Sequence, residues 1–66
     1  MMSPVAVFVS DYNHRKALVY KLKDGYNVEF YLHEQRVREE SYMGKSQRYH
    51  EDTAEDYVLG IKNLGP

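Results

Sequence analysis

Read for spacing alone, the chain changes period once. Up to residue 43 its apolar side chains alternate or run in short blocks; beyond the break "GKS" (Gly44–Ser46) they recur every three or four positions. "VAVFV" (Val5–Val9) and "ALVYKL" (Ala17–Leu22) are blocks rich in β-branched and aromatic residues, the composition of strands. "NVEFYLH" (Asn27–His33) alternates cleanly, with Val28, Phe30 and Leu32 on one side. Arg36–Met43 alternates less cleanly and reads as a fourth strand. Polar connections separate them: "SDYNHRK", with Asp11 and Asn13 as turn formers, "KDGY", with the Asp-Gly hairpin signal, and "EQ". The pattern predicts strands over about 5–10, 17–23, 27–33 and 36–43.

After the break, Ala54, Tyr57, Val58, Ile61 and Leu64 fall on one stripe of a helical wheel, about 120° wide. Asp52 and Glu55 stand at the N-cap and N3 spacing of a capping box, so a helix is expected over about 51–63, or from 47 if Ser46 begins it. Glu51, Asp52, Glu55 and Asp56 would then occupy the first turns, where free N–H groups and the helix dipole stabilise carboxylates. Gly60 marks either close approach to the sheet or an early end. The expected fold is α+β: one domain over 1–66, an antiparallel sheet of three to four strands, and one C-terminal helix packed on one face. Tyr20, Tyr57 and Ile61 are expected in the core, and Leu59 outside it.

Neighbouring side chains of a strand point to opposite faces. Val5, Val7 and Val9 oppose Ala6 and Phe8; Leu18, Tyr20 and Leu22 oppose Ala17 and Val19. Both faces of the first two strands are therefore apolar, while one helix covers one face only. The pattern predicts a homodimer through Val5, Val7, Val9, Ala17 and Val19.

Composition narrows the classes. A chain of 66 residues has a modest core, and with no cysteine it has neither disulfides nor a thiolate metal site to reinforce it. Net charge is −1, against a dedicated polyanion binder. The charge is uneven: residues 1–50 carry eight Lys/Arg against six Asp/Glu, and residues 51–66 one against four. The run Val5–Val9 is too short to span a bilayer and lacks the flanks of a secretory signal, so a cytoplasmic protein with no membrane association is expected.

Candidate chemistry is sparse. Ser10, Asp11 and His14 lie within five residues of one connection, whereas hydrolytic triads are assembled from separate elements, so "SDYNH" reads as a polar turn. "GKS" resembles the end of a phosphate-binding loop, but the required upstream glycine is Glu39. His14, His33 and His50 show no ligand spacing, and no cofactor is expected. Neither motif supports an enzyme. Seven tyrosines are the more informative feature, since tyrosine is enriched at binding surfaces. Tyr31, His33, Arg36, Arg38 and Tyr42 mix aromatic and basic groups on the second strand pair, a candidate surface for a partner protein or for single-stranded nucleic acid. Glu29, Glu34, Glu39 and Glu40 are interleaved with them and would repel phosphates, which makes nucleic acid the weaker choice.

Residues 28–63 resemble a group of small uncharacterised proteins of cyanobacterial bacteriophages. The shared features are a strand pair, Gly44-x-Ser46, Tyr49-x-Glu51-Asp52-x-Ala54-Glu55, the aromatic Tyr57, and Val58-x-Gly60-Ile61. Tyr57 stands where that group more often has tryptophan. The resemblance covers about half of the chain and implies an accessory protein acting inside an infected bacterium. The sheet-then-helix order is also similar in layout to the DNA-binding domains of plant ethylene-response factors and phage integrases, without their arginine- and tryptophan-rich strands. Together these observations predict a non-enzymatic interaction module that binds itself and a host protein, with nucleic-acid binding as the alternative.

Overall fold

A computed structural model describes residues 3–64. Four strands, β1 (Ala6–Ser10), β2 (Arg15–Leu22), β3 (Gly25–Leu32) and β4 (Gln35–Glu40), form one antiparallel sheet in the order β1-β2-β3-β4, and α1 (Gln47–Val58) follows. This is the expected α+β fold. The Asp-Gly signal marks the β2–β3 hairpin one residue late: Lys23 and Asp24 make the turn, and Gly25 opens β3 opposite Leu22. His33 and Glu34 form the β3–β4 turn with φ of 52° and 67°, the left-handed pair of a two-residue hairpin that normally goes to Asn-Gly.

Register decides which face each side chain joins. Ala6 opposes Val19, and Phe8 opposes Ala17, which opposes Phe30. Directly paired residues share a face, so these residues and Val28 line one side of the sheet. Ala54, Tyr57 and Val58 of α1 close over it. Ala17, Val19, Val28, Phe30 and Ala54 are fully buried, and the Phe30 and Tyr57 rings meet edge to face at 5.0 Å. Leu64 is partly buried against this core, though it lies beyond the helix end and not on the helical stripe where the wheel put it.

Two expectations fail at the helix, the Asp52–Glu55 capping box and the length. Of the two starts the sequence allows, the earlier one holds: Ser46 is the N-cap, its hydroxyl accepting from the Tyr49 N–H at 3.2 Å. No acid lies in the first turn, so Asp52 and Glu55 are mid-helix residues rather than a capping box. Asp52 instead faces Arg48 one turn earlier, at 3.5 Å on an exposed surface. The other failure concerns length. Gly60 adopts φ 86°; its N–H reaches the Tyr57 carbonyl, and that of Ile61 reaches Asp56 at 2.8 Å. This paired-bond helix end requires a left-handed residue. The helix stops there, leaving Ile61 70% exposed and outside the core. Gly60 marks the early end, not a close approach to the sheet.

The first connection does more than turn. Its Asn13 side chain donates to the Val58 carbonyl at 3.0 Å, and Arg15 Nη1 donates to those of Tyr57 (2.8 Å) and Lys62 (3.2 Å). The Val58 carbonyl is one that the last helical turn leaves without an intrahelical partner; Tyr57's also takes the Gly60 N–H, and Lys62's lies just beyond the helix.

At the opposite end His50 is fully buried. Its Nδ1 donates to the Ser46 carbonyl at 2.7 Å, and its Nε2 accepts the Tyr42 N–H at 3.1 Å, so the ring carries its proton on Nδ1. It tilts against the Tyr26 and Tyr42 rings, and with Ala54, Tyr57 and Val58 it completes the i, i+4, i+7, i+8 stripe.

The Tyr42 hydroxyl donates to Glu40, which also meets Lys62 at 3.7 Å and Arg38 at 3.3 Å. The Tyr42 hydrogen bond, then the Lys62 and Arg38 charges, hold the Glu40 carboxyl below its ordinary value of 4.5. Burial, then the carboxylate beside it, raises the Tyr42 phenol well above the usual range. A carboxyl lowered by folding stabilises the fold above its unfolded pKa, and that contribution fades as pH falls through the folded value. Glu40→Gln should therefore lower stability by about 1 kcal/mol at neutral pH. The gap should close as pH drops below the ordinary carboxylate range. Urea unfolding of both proteins across that range is the check, and a gap independent of pH would refute it.

Candidate interaction surface

The side of the sheet away from α1 has two halves. On β1 and β2 it presents Val7, Val9, Leu18, Tyr20 and Leu22, placed together because Val7 opposes Leu18 and the rest follow at alternate positions. Val7 and Val9 are 53% and 60% exposed. Tyr20 belongs to this half rather than to the core, which corrects its expected place.

On β3 and β4 the same side is a closed polar network. Arg36 pairs with Glu29 at 3.1 Å and Glu39 at 3.5 Å, and Asn27 donates to Glu39. Tyr31 donates to Glu29 at 2.9 Å, and this hydrogen bond is the first cause of its raised pKa. The Lys16 ammonium lies 4.8 Å from the centre of the Tyr31 ring and pairs with Glu34 at 3.4 Å. Exposed pairs of this kind contribute about 0–1 kcal/mol each. Their larger effect is to leave little unpaired charge there. Where the halves meet, a hollow of about 290 Å³ is lined by Tyr20, Leu22, Asn27 and Glu29.

The sheet does not gather the candidate surface proposed from the sequence. Tyr31 and Arg36 share the open side. Arg38 opposes Phe30 and so lies on the helix side, where it pairs with Glu40. Tyr42 follows β4 and packs on Tyr49 and His50 of the helix. His33 sits in the β3–β4 turn, its ring stacked on that of His14 at 4.6 Å. Bases stack on aromatic faces flanked by available cations. Here Lys16 covers the Tyr31 ring, and Arg36 and Arg38 are engaged by carboxylates.

The expected dimer surface also divides. Val7 and Val9 lie on the open side and Val5, just before β1, is exposed, whereas Ala17 and Val19 are fully buried beneath the helix. Ala17 and Val19 are core residues, already covered within the chain by the helix. The residues that replace them on the open side, Leu18, Tyr20 and Leu22, were visible as the opposite parity of the same strand.

Among the described residues no group of three His, Asp or Glu side chains could hold a metal ion, and no helix is long and apolar enough to cross a membrane. Compared with family models, with curated proteins and with solved structures, the chain matches none.

Proposed function

We propose that this chain is a non-catalytic protein-interaction module whose contact surface is the open side of its sheet. The observation that carries the reading is the apolar half built from Val7, Val9, Leu18, Tyr20 and Leu22, bordered by the Glu29–Arg36–Glu39 network. A contiguous exposed apolar patch with a polar rim is the usual anatomy of a protein contact. The hollow between Leu22 and Glu29 fits one anchoring side chain: an aliphatic stem along Leu22 and Tyr20, ending in a hydrogen-bond donor for the Glu29 carboxylate. The resemblance of residues 28–63 to phage accessory proteins supports a bacterial host protein as the partner, met in the host cytoplasm.

The test is capture from host extract by the tagged chain, by Leu22→Lys and by Val37→Lys. Leu22 lines the hollow; Val37 is exposed on β4, away from it. One protein should be recovered in stoichiometric amount by the native chain and by Val37→Lys, and at least about tenfold less by Leu22→Lys. Equal recovery by all three, or recovery of nucleic acid in a salt-dependent manner instead, would reject this surface as the site.

A further inference from the structure

The two edges of the sheet are built differently. β4, "QRVREE", carries Arg36, Arg38, Glu39 and Glu40, and its pairing with β3 shifts register between Phe30 and Tyr31. Charge and a bulge are the devices by which edge strands avoid further pairing. β1, "AVFVS", has neither: it carries no charge and pairs with β2 in unbroken register from Ala6 to Ser10. Among the described residues no strand lies on its outer side.

β1 is also unfinished on both of its faces. On the helix side Ala6 and Phe8 pack against the core but are only partly buried. On the other side Val7 and Val9 are more than half exposed. A partner that merely covered the open side would leave Phe8 as it is. A partner that continues the sheet completes both layers at once.

We infer that β1 pairs antiparallel with β1 of a second copy, joining two sheets into one of eight strands. A two-fold axis through Phe8 uses the whole strand: Phe8 meets Phe8 on the helix side, Val7 meets Val9 on the open side, and Ala6 meets Ser10. The surface is self-complementary, as a two-fold contact requires, and it places no charge against another. Both helices then lie on the same side, and the two apolar halves meet across the axis. Five residues of pairing is a small contact, so the dimer is a weak one that forms as concentration rises. This inference concerns the edge of β1; it shares Val7 and Val9 with the proposed partner surface but not the hollow at Leu22.

The experiment is sedimentation equilibrium from micromolar to millimolar concentration, with backbone amide exchange along β1. The variants are Val7→Lys/Val9→Lys, Val7→Glu/Val9→Glu and Leu22→Lys, each checked for native circular dichroism. The native chain and Leu22→Lys should dimerise equally, with β1 amides gaining protection as concentration rises. Either double variant sets like charges opposite one another and should weaken dimerisation at least about tenfold, while mixing the two should restore it. A chain that stays monomeric throughout overturns the inference. So does a dimer that Leu22→Lys dissolves, or one in which β1 amides exchange as in the monomer. Loss of host-protein capture by Leu22→Lys with dimerisation intact separates the two proposals.

Discussion

Tyr57→Ala should leave the chain largely unfolded, while Ile61→Ala, four residues on, should change stability by no more than about 0.5 kcal/mol. Tyr57 is buried, and its ring packs edge-on against Phe30. Its hydroxyl donates to the Tyr31 carbonyl at 3.0 Å, and the Arg15 guanidinium lies over the ring at 4.7 Å. Truncating a buried aromatic to alanine costs about 3–5 kcal/mol. A core of this size supplies roughly that much in total, so one substitution removes most of the stability. Ile61 lies beyond the helix end and loses little on truncation. Tyr57→Phe isolates the hydroxyl and should cost about 1 kcal/mol. Thermal and urea melts followed by circular dichroism decide the matter. A Tyr57→Ala protein with a native midpoint, or an Ile61→Ala protein as damaged as Tyr57→Ala, would contradict this core.

The reversal at Ile61 shows what periodicity carries. The stripe Ala54, Tyr57, Val58 was legible because three apolar positions at helical spacing leave little choice of face. Where the wheel stops turning was not, because the stop is made by groups distant in sequence. Gly60 reverses the chain, and Asn13 and Arg15, more than 40 residues away, take the last carbonyls. At the other end Asp52 and Glu55 have the spacing of a capping box, a local signal. It lost to Ser46 because a start there places His50 beneath Tyr26 and Tyr42 and satisfies both ring nitrogens. His50 has no ligand spacing in the sequence; its position four residues before Ala54 is the sign that it extends the apolar stripe.

Strand parity was legible in the same partial way. Alternation separates Leu18, Tyr20 and Leu22 from Ala17 and Val19, but it does not say which set meets the helix. Only pairing fixes that, through Ala17 opposite both Phe8 and Phe30. The candidate surface on β3 and β4 failed for a related reason. The bulge near Phe30 shifts parity along β4, so Arg36 and Arg38, which simple alternation would place on one side, lie on opposite sides: Arg36 joins Tyr31 on the open side, and Arg38 joins Phe30 on the other. Within residues 44–61, Ser46, Ala54, Tyr57, Val58 and Gly60 cap the helix, seat it on the sheet or end it. That segment is thus chiefly a docking unit for the helix, while the open apolar half comes from β1 and β2.

The same long-range closure sets the last expected result. Arg15→Met should cost about 1.5–3 kcal/mol, the range for hydrogen bonds to a charged group, although the methionine keeps much of the aliphatic stem. The guanidinium bonds the Tyr57 and Lys62 carbonyls through one nitrogen and the Asn63 side chain through the other, at 3.1 Å, while lying on the Tyr57 ring. Lysine is a point donor on a flexible stem and cannot reproduce that fork, so Arg15→Lys should recover less than half of the loss. Asn13→Ala removes the bond to Val58 and should cost about 1 kcal/mol. The double variant should fall short of the sum, because both side chains hold the same helix end. Urea melts give the energies. Amide exchange at Gly60–Lys62 gives the location: in Arg15→Met these amides should exchange faster than the native ones even under conditions where the strands remain protected. Uniform acceleration across the sheet and helix would mean that Arg15 supports the core as a whole and not the helix end.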